Sequence, residues 1–176
     1  ESSYEAKKTR REVRTNLKAD KFAQAEDIIN KAMKAWDEAR YDLELNSMML
    51  TTQHALANEE NRKIFLNNRP DTAKYFSYIY NVYRYGMVLD SLDRLPDSKG
   101  RIRPHYTSTI ASNLLSYRNN IKSAGKFFYK KNNYKEAYKY FDIFMQTQHQ
   151  PALESQKNYR PDADSIEVAL MAVYSA

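Results

Sequence analysis

Three histidines, His54, His105 and His149, and two closely spaced acid pairs, Asp90 with Asp93 and Asp162 with Asp164, carry the side chains best suited to acid–base or metal chemistry. A helical zinc site needs two histidines one turn apart with a glutamate beside them. Here the histidines are far apart in sequence, and each reads as a surface or capping residue. The acids fall where helices should begin or end, a common pattern with little catalytic specificity. The glycines are Gly86, Gly100 and Gly125, too scattered for a phosphate-cradling loop. There is no cysteine, so disulfides, thiolate metal sites and a thiol nucleophile are excluded. The expectation is a chain with no catalytic residues, no metal and no cofactor. A site assembled from distant residues would escape this reading.

The remaining chemistry is cationic. The formal net charge is +6, an excess that favours acidic partners. Lys7–Arg11 reads KKTRR, and Lys126, Lys130, Lys131, Lys135 and Lys139 alternate with aromatics. Such mixtures can hold single-stranded nucleic acid, but the aromatics recur at helical spacing, which assigns them to a core first. The basic N-terminal stretch has only Tyr4, Ala6, Val13 and Leu17 as apolar anchors, too little area for stable membrane insertion. No apolar run is long enough for a membrane span.

These side chains must be positioned by helices. Eight of the 176 residues are glycine or proline (3 and 5), too few for a sandwich or barrel. Phe22, Ala25, Ile29, Ala32, Met33 and Trp36 form one amphipathic stripe, with Asp20 as its expected cap. Tyr41, Leu45, Met48, Met49, Thr52, Ala55 and Leu56 form a second stripe in a new phase, which places a break near Trp36–Glu38. A short helix is expected over 59–66. After Pro70 and Asp71, residues 72–94 carry two apolar stripes, so that helix should be packed on two sides. Residues 95–105 read as a loop. Tyr106, Ile110, Leu114, Tyr117, Ile121, Ala124 and Phe128 then keep one face, with a kink expected near 118–120. Asn132 and Asn133 turn the chain into the stripe Tyr134, Ala137, Tyr138, Phe141, Phe144. Residues 149–161 read as a loop, and Asp162 or Asp164 should cap a terminal helix.

Within this pattern one segment carries a family likeness. The stretch 120–145, NIKSAGKFFYKKNNYKEAYKYFDIFM, resembles a tetratricopeptide (TPR) unit. Ile121, Ala124, Gly125 and Phe128 occupy first-helix slots; Tyr134, Ala137 and Phe141 occupy second-helix slots. Gly125 and Ala137 supply the room for two helices to touch, and Phe128, Tyr134 and Phe141 should fill the space around the contact. The departures are Ile121 for the usual aromatic, Ala124 for leucine, Phe144 for a small residue, and a late Pro151. Phe22, Ala25 and Ile29 resemble the second helix of another unit, and residues 165–176 resemble a first helix.

The resemblance implies an all-α, TPR-like superhelical array of antiparallel helix pairs from a bacterial protein. Its expected organisation is a divergent helical region at 1–95, a loop at 96–105, a helix pair at 106–151, a loop at 152–162 and a terminal helix at 163–176. That last helix is either a cap or the start of a repeat that continues in a longer chain. The implied role is a scaffold or adaptor that binds a peptide or a partner's helix in a concave groove. The groove positions carried over are Asn119, Lys122, Lys126 and Tyr129, and the implied ligand is a protein or acidic peptide. The same lysines are also what an ordinary solvated helix face looks like. The alternatives are a structural domain of a larger envelope or regulatory protein and, behind it, a single-strand nucleic-acid binder. The start at Glu1 rather than Met sets an expectation of a removed targeting segment, and with it the periplasm or cell envelope ahead of the cytoplasm.

Overall fold

The computed structural model describes residues 3–161 and 165–176, and its described residues form an all-helical fold without strands. The expected cap at Asp162 or Asp164 lies outside the described residues. The helices are α1 (Ala6–Lys18), α2 (Phe22–Ala35), α3 (Asp37–Arg40), α4 (Leu43–Phe65), α5 (Thr72–Asp93), α6 (Thr107–Ser116), α7 (Arg118–Lys130), α8 (Tyr134–Gln146), α9 (Pro151–Glu154) and α10 (Ser165–Ser175). Short turns join α1 to α2, α4 to α5 and α7 to α8, and each pair packs along its length as a hairpin. α10 lies against α8, and α9 against α6.

The break between α2 and α3 falls at Trp36, whose backbone is extended (φ −137°, ψ 131°). Asp20 is not the cap of α2. It takes a left-handed backbone (φ 56°) in the turn, a conformation that aspartate tolerates better than most residues, and Lys21 precedes the helix without a side-chain cap. Tyr41 leaves its expected stripe and is exposed between α3 and α4. Residues 59–65 continue α4 rather than forming a separate helix. The stripe from Tyr106 to Phe128 spans two helices, α6 and α7, that break at Tyr117. The 149–161 segment contains α9, with Ala152 and Leu153 buried.

As its two stripes require, α5 is buried on both sides. Val82, Ile79 and Tyr83 join Leu50 and Leu56 of α4, Ile110 and Leu114 of α6, and Ile121 and Phe141 of α7 and α8 in one continuous core. This core joins helices on both sides of the 95–105 loop in sequence. A smaller cluster around Val13, Ala25, Ile29, Leu45 and Met49 holds α1 and α2 on α4.

Buried acids organise the helix junctions. Asp42 caps α4 by accepting from the Leu45 amide at 2.9 Å, and also receives the Arg10 guanidinium at 2.7 Å and the Tyr4 hydroxyl at 2.9 Å. The first cationic cluster is thereby partly spent on docking α1. Asp93 accepts from the His105 and Tyr106 amides at 2.9 and 2.7 Å, fixing the chain where it enters α6. Asp90, fully buried, pairs with Arg94 at 2.9 Å and accepts from the Ala152 amide and the Gln150 side chain, each at 2.9 Å. It supplies the cap that α9 lacks locally. Glu60 receives Lys63 and the Asp71 amide. Burial pushes its pKa up, but these hydrogen bonds outweigh burial and hold it below the ordinary 4.5.

Removing the Asp90 carboxylate strands a buried amide and a paired cation together. Asp90→Ala is expected to cost about 3 kcal/mol in urea unfolding, in the range for breaking a buried pair, and Asp90→Asn less. A loss for Asp90→Ala below about 0.5 kcal/mol, the scatter of neutral surface changes, would contradict this role.

Candidate functional site

The segment carrying the family likeness folds as the hairpin α7–α8, turned by Asn132 in a left-handed backbone (φ 59°) and by Asn133, whose side chain caps α8 through the Glu136 amide. Ile121, Ala124, Ala137 and Phe141 are fully buried, and Phe128 nearly so. A β-carbon built on Gly125 would lie 2.3 Å from Phe141 Cε1 and 2.6 Å from Cδ1. The space left by glycine is therefore filled by the Phe141 ring, and the close contact is glycine against phenylalanine, with the buried Ala137 on the same helix. Tyr134 does not fill the space around the contact. It is 43% exposed, meets Tyr129 edge-on at 5.3 Å, and donates from its hydroxyl to Asn132 at 3.0 Å. Phe22 is half-buried, while Ala25 and Ile29 are fully buried on α2.

The four groove positions sit in unequal surroundings. Asn119 is exposed and Tyr129 half-buried. Lys122 is buried, with its ammonium 5.7 Å from the centre of the Phe144 ring. Lys126 meets Glu167 of α10 at 3.5 Å. α10 thus approaches the face expected to be open, and Lys122 is not a free surface cation. Phe144, the large residue at a slot that is usually small, serves two cations of this helix, Lys122 and Arg118, the Arg118 guanidinium lying 3.9 Å from its ring centre, within cation–π range.

Two other residues of this basic cluster are also engaged. Lys139 lies over the Tyr80 ring at 4.2 Å, and Lys131 over Phe127 at 4.4 Å. Phe128 stacks on Tyr140 at 5.5 Å inside the core. Tyr134 and Tyr138 are exposed on this hairpin, and Phe127 and Tyr129 are half-buried.

The histidines stay apart. His149 pairs with Glu154 at 2.7 Å on the surface. His54 of α4 joins a closed ring with Asn58 and with Tyr117 at the α6–α7 break. Tyr117 donates its hydroxyl to Asn58 Oδ1 at 3.2 Å, and the two imidazole nitrogens meet Tyr117 Oη and Asn58 Nδ2 at 3.1 Å each. All three bonds are satisfied when His54 is neutral with its proton on Nδ1, a tautomer assigned from the partners. Burial lowers the His54 pKa and favours that form, and burial raises the Tyr117 phenol to about 12. Among the described residues no three metal-ligating side chains come together, and no helix is long and apolar enough to cross a membrane.

The signal that sequence reasoning missed lies on α10. Val168 faces the core and Met171 and Ala172 are half-buried against it. Ile166, Leu170, Val173 and Tyr174 are 76%, 51%, 71% and 68% exposed. Their spacing of four, three and one places them on one helix face. The apolar residues of this helix were legible, but their division between two faces was not. Comparisons with known protein families, with curated proteins and with solved structures find no match.

The Gly125 contact predicts a specific double variant. Gly125→Ala is expected to lower stability by about 1–3 kcal/mol, as overpacking does. Adding Phe141→Leu, which alone leaves a cavity, should then cost less in the Gly125→Ala background than in the parent. Additive losses in a double-mutant cycle would show that the two side chains do not compete for one space.

Proposed function

We propose that this chain is a TPR-like helical-repeat module that works by binding a protein partner rather than by catalysis. The observation that carries the reading is the apolar face of α10, formed by Ile166, Leu170, Val173 and Tyr174 on a helix whose other side is already packed on α8. Four large apolar side chains on one exposed face form a patch of the kind that marks an interaction surface. Its two-turn length and helical spacing suit a single amphipathic helix laid against it, the helix-in-groove mode of recognition.

The α7–α8 hairpin with its glycine contact, and α10 stacked on α8, support the TPR-like arrangement. In that arrangement α10 stands where the first helix of a following pair would stand, and a partner helix takes the next place in the stack. The net charge of +6 favours a partner with acidic flanks. Lys126 contributes after exchanging Glu167 for a partner carboxylate. That exchange involves half-exposed groups and so costs little. Asn119 and Tyr129 lie on the same helix, and Lys122 acts from beneath by holding Phe144 rather than by touching the ligand.

A photo-crosslinking amino acid placed at Val173, in chain expressed in its native cell, tests this reading. The expected result is a discrete adduct with a helical segment of another protein, lost in Ile166→Lys with Tyr174→Lys while circular dichroism is unchanged. Adducts confined to a second copy of this chain would contradict it, as would a labelling pattern no different from that of a probe at exposed Tyr41.

A further inference from the structure

Buried charge in this chain is met with care. Asp42, Glu60, Asp90 and Asp93 each hold at least two hydrogen-bond partners. Arg118 departs from this pattern. It is the first residue of α7, and 7% of its surface is exposed. Its Nη1 reaches Thr147 Oγ1 at 3.2 Å and the Phe144 carbonyl at 3.5 Å, near the end of α8. Its Nε and Nη2 are buried and have no hydrogen-bond partner.

Those two atoms are not an arbitrary pair. In a planar guanidinium the Nε–H and one Nη2–H point the same way, side by side. They form the edge that meets two oxygens of a carboxylate or phosphate at once. The protein uses the opposite nitrogen for its own structure and leaves the bidentate edge unmet. Leaving a buried, charged donor unsatisfied is costly, and stacking on Phe144 offsets only part of that cost.

Arg118 also forms part of the wall of an open cleft of about 650 Å³, between the end of α6 and the segment 156–160. Lys157 and Arg160 bring two more cations to its rim, both exposed, and Gln156 and Asn158 add amides. No carboxylate is among its described lining residues. The segment is anchored to α8 by the Tyr159 hydroxyl, which donates to the Gln148 carbonyl at 2.7 Å.

We propose that this cleft is a binding site for an oxyanion, a carboxylate or phosphate carried on a small ligand, with Arg118 as its bidentate anchor. Lys157 and Arg160 draw the anion in and neutralise its remaining charge. The Arg118 edge is covered in the resting arrangement, so binding requires displacement of the exposed rim residues Lys157, Asn158 and Arg160. The site is separate from the α10 face and does not rest on the repeat reading.

The test follows the Arg118 Nε–Hε resonance in ¹⁵N-labelled protein, a proton that burial protects from exchange with solvent. The probes are inorganic phosphate and succinate, titrated at constant ionic strength set with sodium chloride. A saturable shift with at least one probe is expected, and the stronger of the two identifies the ligand chemistry. Lys157→Glu with Arg160→Glu should weaken that binding by about tenfold or more while the melting temperature holds, and the corresponding glutamine pair should weaken it less. The proposal is overturned if neither probe gives a saturable shift. It is also overturned if the affinity is the same in the charge-reversed variant, which would mark non-specific ion association.

Discussion

The ring of Phe141 occupies the place where Gly125 has no side chain, and much of the structure depends on that contact. It lets α7 and α8 approach closely enough for Ile121, Ala124, Ala137 and Phe128 to close over one another. α8, so placed, offers one side to α10 and carries Phe144 to the start of α7, where Arg118 and Lys122 rest on its ring. A wider α7–α8 spacing would loosen the α10 seat and the Arg118 stack together. Interiors packed to this density do not absorb an added methyl without moving something.

Much of the helix content is legible in the sequence because a 3.6-residue apolar period needs no partner to be read. The two stripes of 72–94 foretell a helix buried on both sides, and α5 is one. The spacing from Gly125 to Ala137 foretells a close hairpin, but the side chain that meets Gly125 is Phe141. Two features that local pattern did not place share a cause. The short α9, and the position of the α6–α7 break one residue ahead of the expected kink, are tied to partners distant in sequence. The Asp20 turn, in contrast, is closed locally by the Leu17 and Asn16 carbonyls. Asp90 caps α9 from 62 residues away, and Tyr117 turns inward to His54, 63 residues away. A local pattern holds no trace of such caps. The stripe through Tyr117 even keeps its phase across the break, so periodicity runs on where the helix does not.

The candidate sites show the same division. Helical spacing placed Asn119, Lys122, Lys126 and Tyr129 along α7, but spacing does not reveal that Lys122 is buried under Phe144 or that Glu167 reaches Lys126. Nothing in the sequence pattern singled out Arg118, and only its neighbours make it a buried donor with an unmet edge. Charge in this chain divides into cations and acids that hold helices together, as at Asp42 and Asp90, and cations the fold leaves available. The second group, with the apolar face of α10, is where binding is proposed.

The core from α4 to α8 must behave as one cooperative body, although the 95–105 loop divides its helices in sequence. Amide hydrogen exchange under native conditions measures that directly. The slowest amides of α5 and of α7 should report the same opening free energy, equal to that of global unfolding and falling in parallel with added urea. Two distinct plateaus, with α4 and α5 on one and α7 and α8 on the other, would contradict the account.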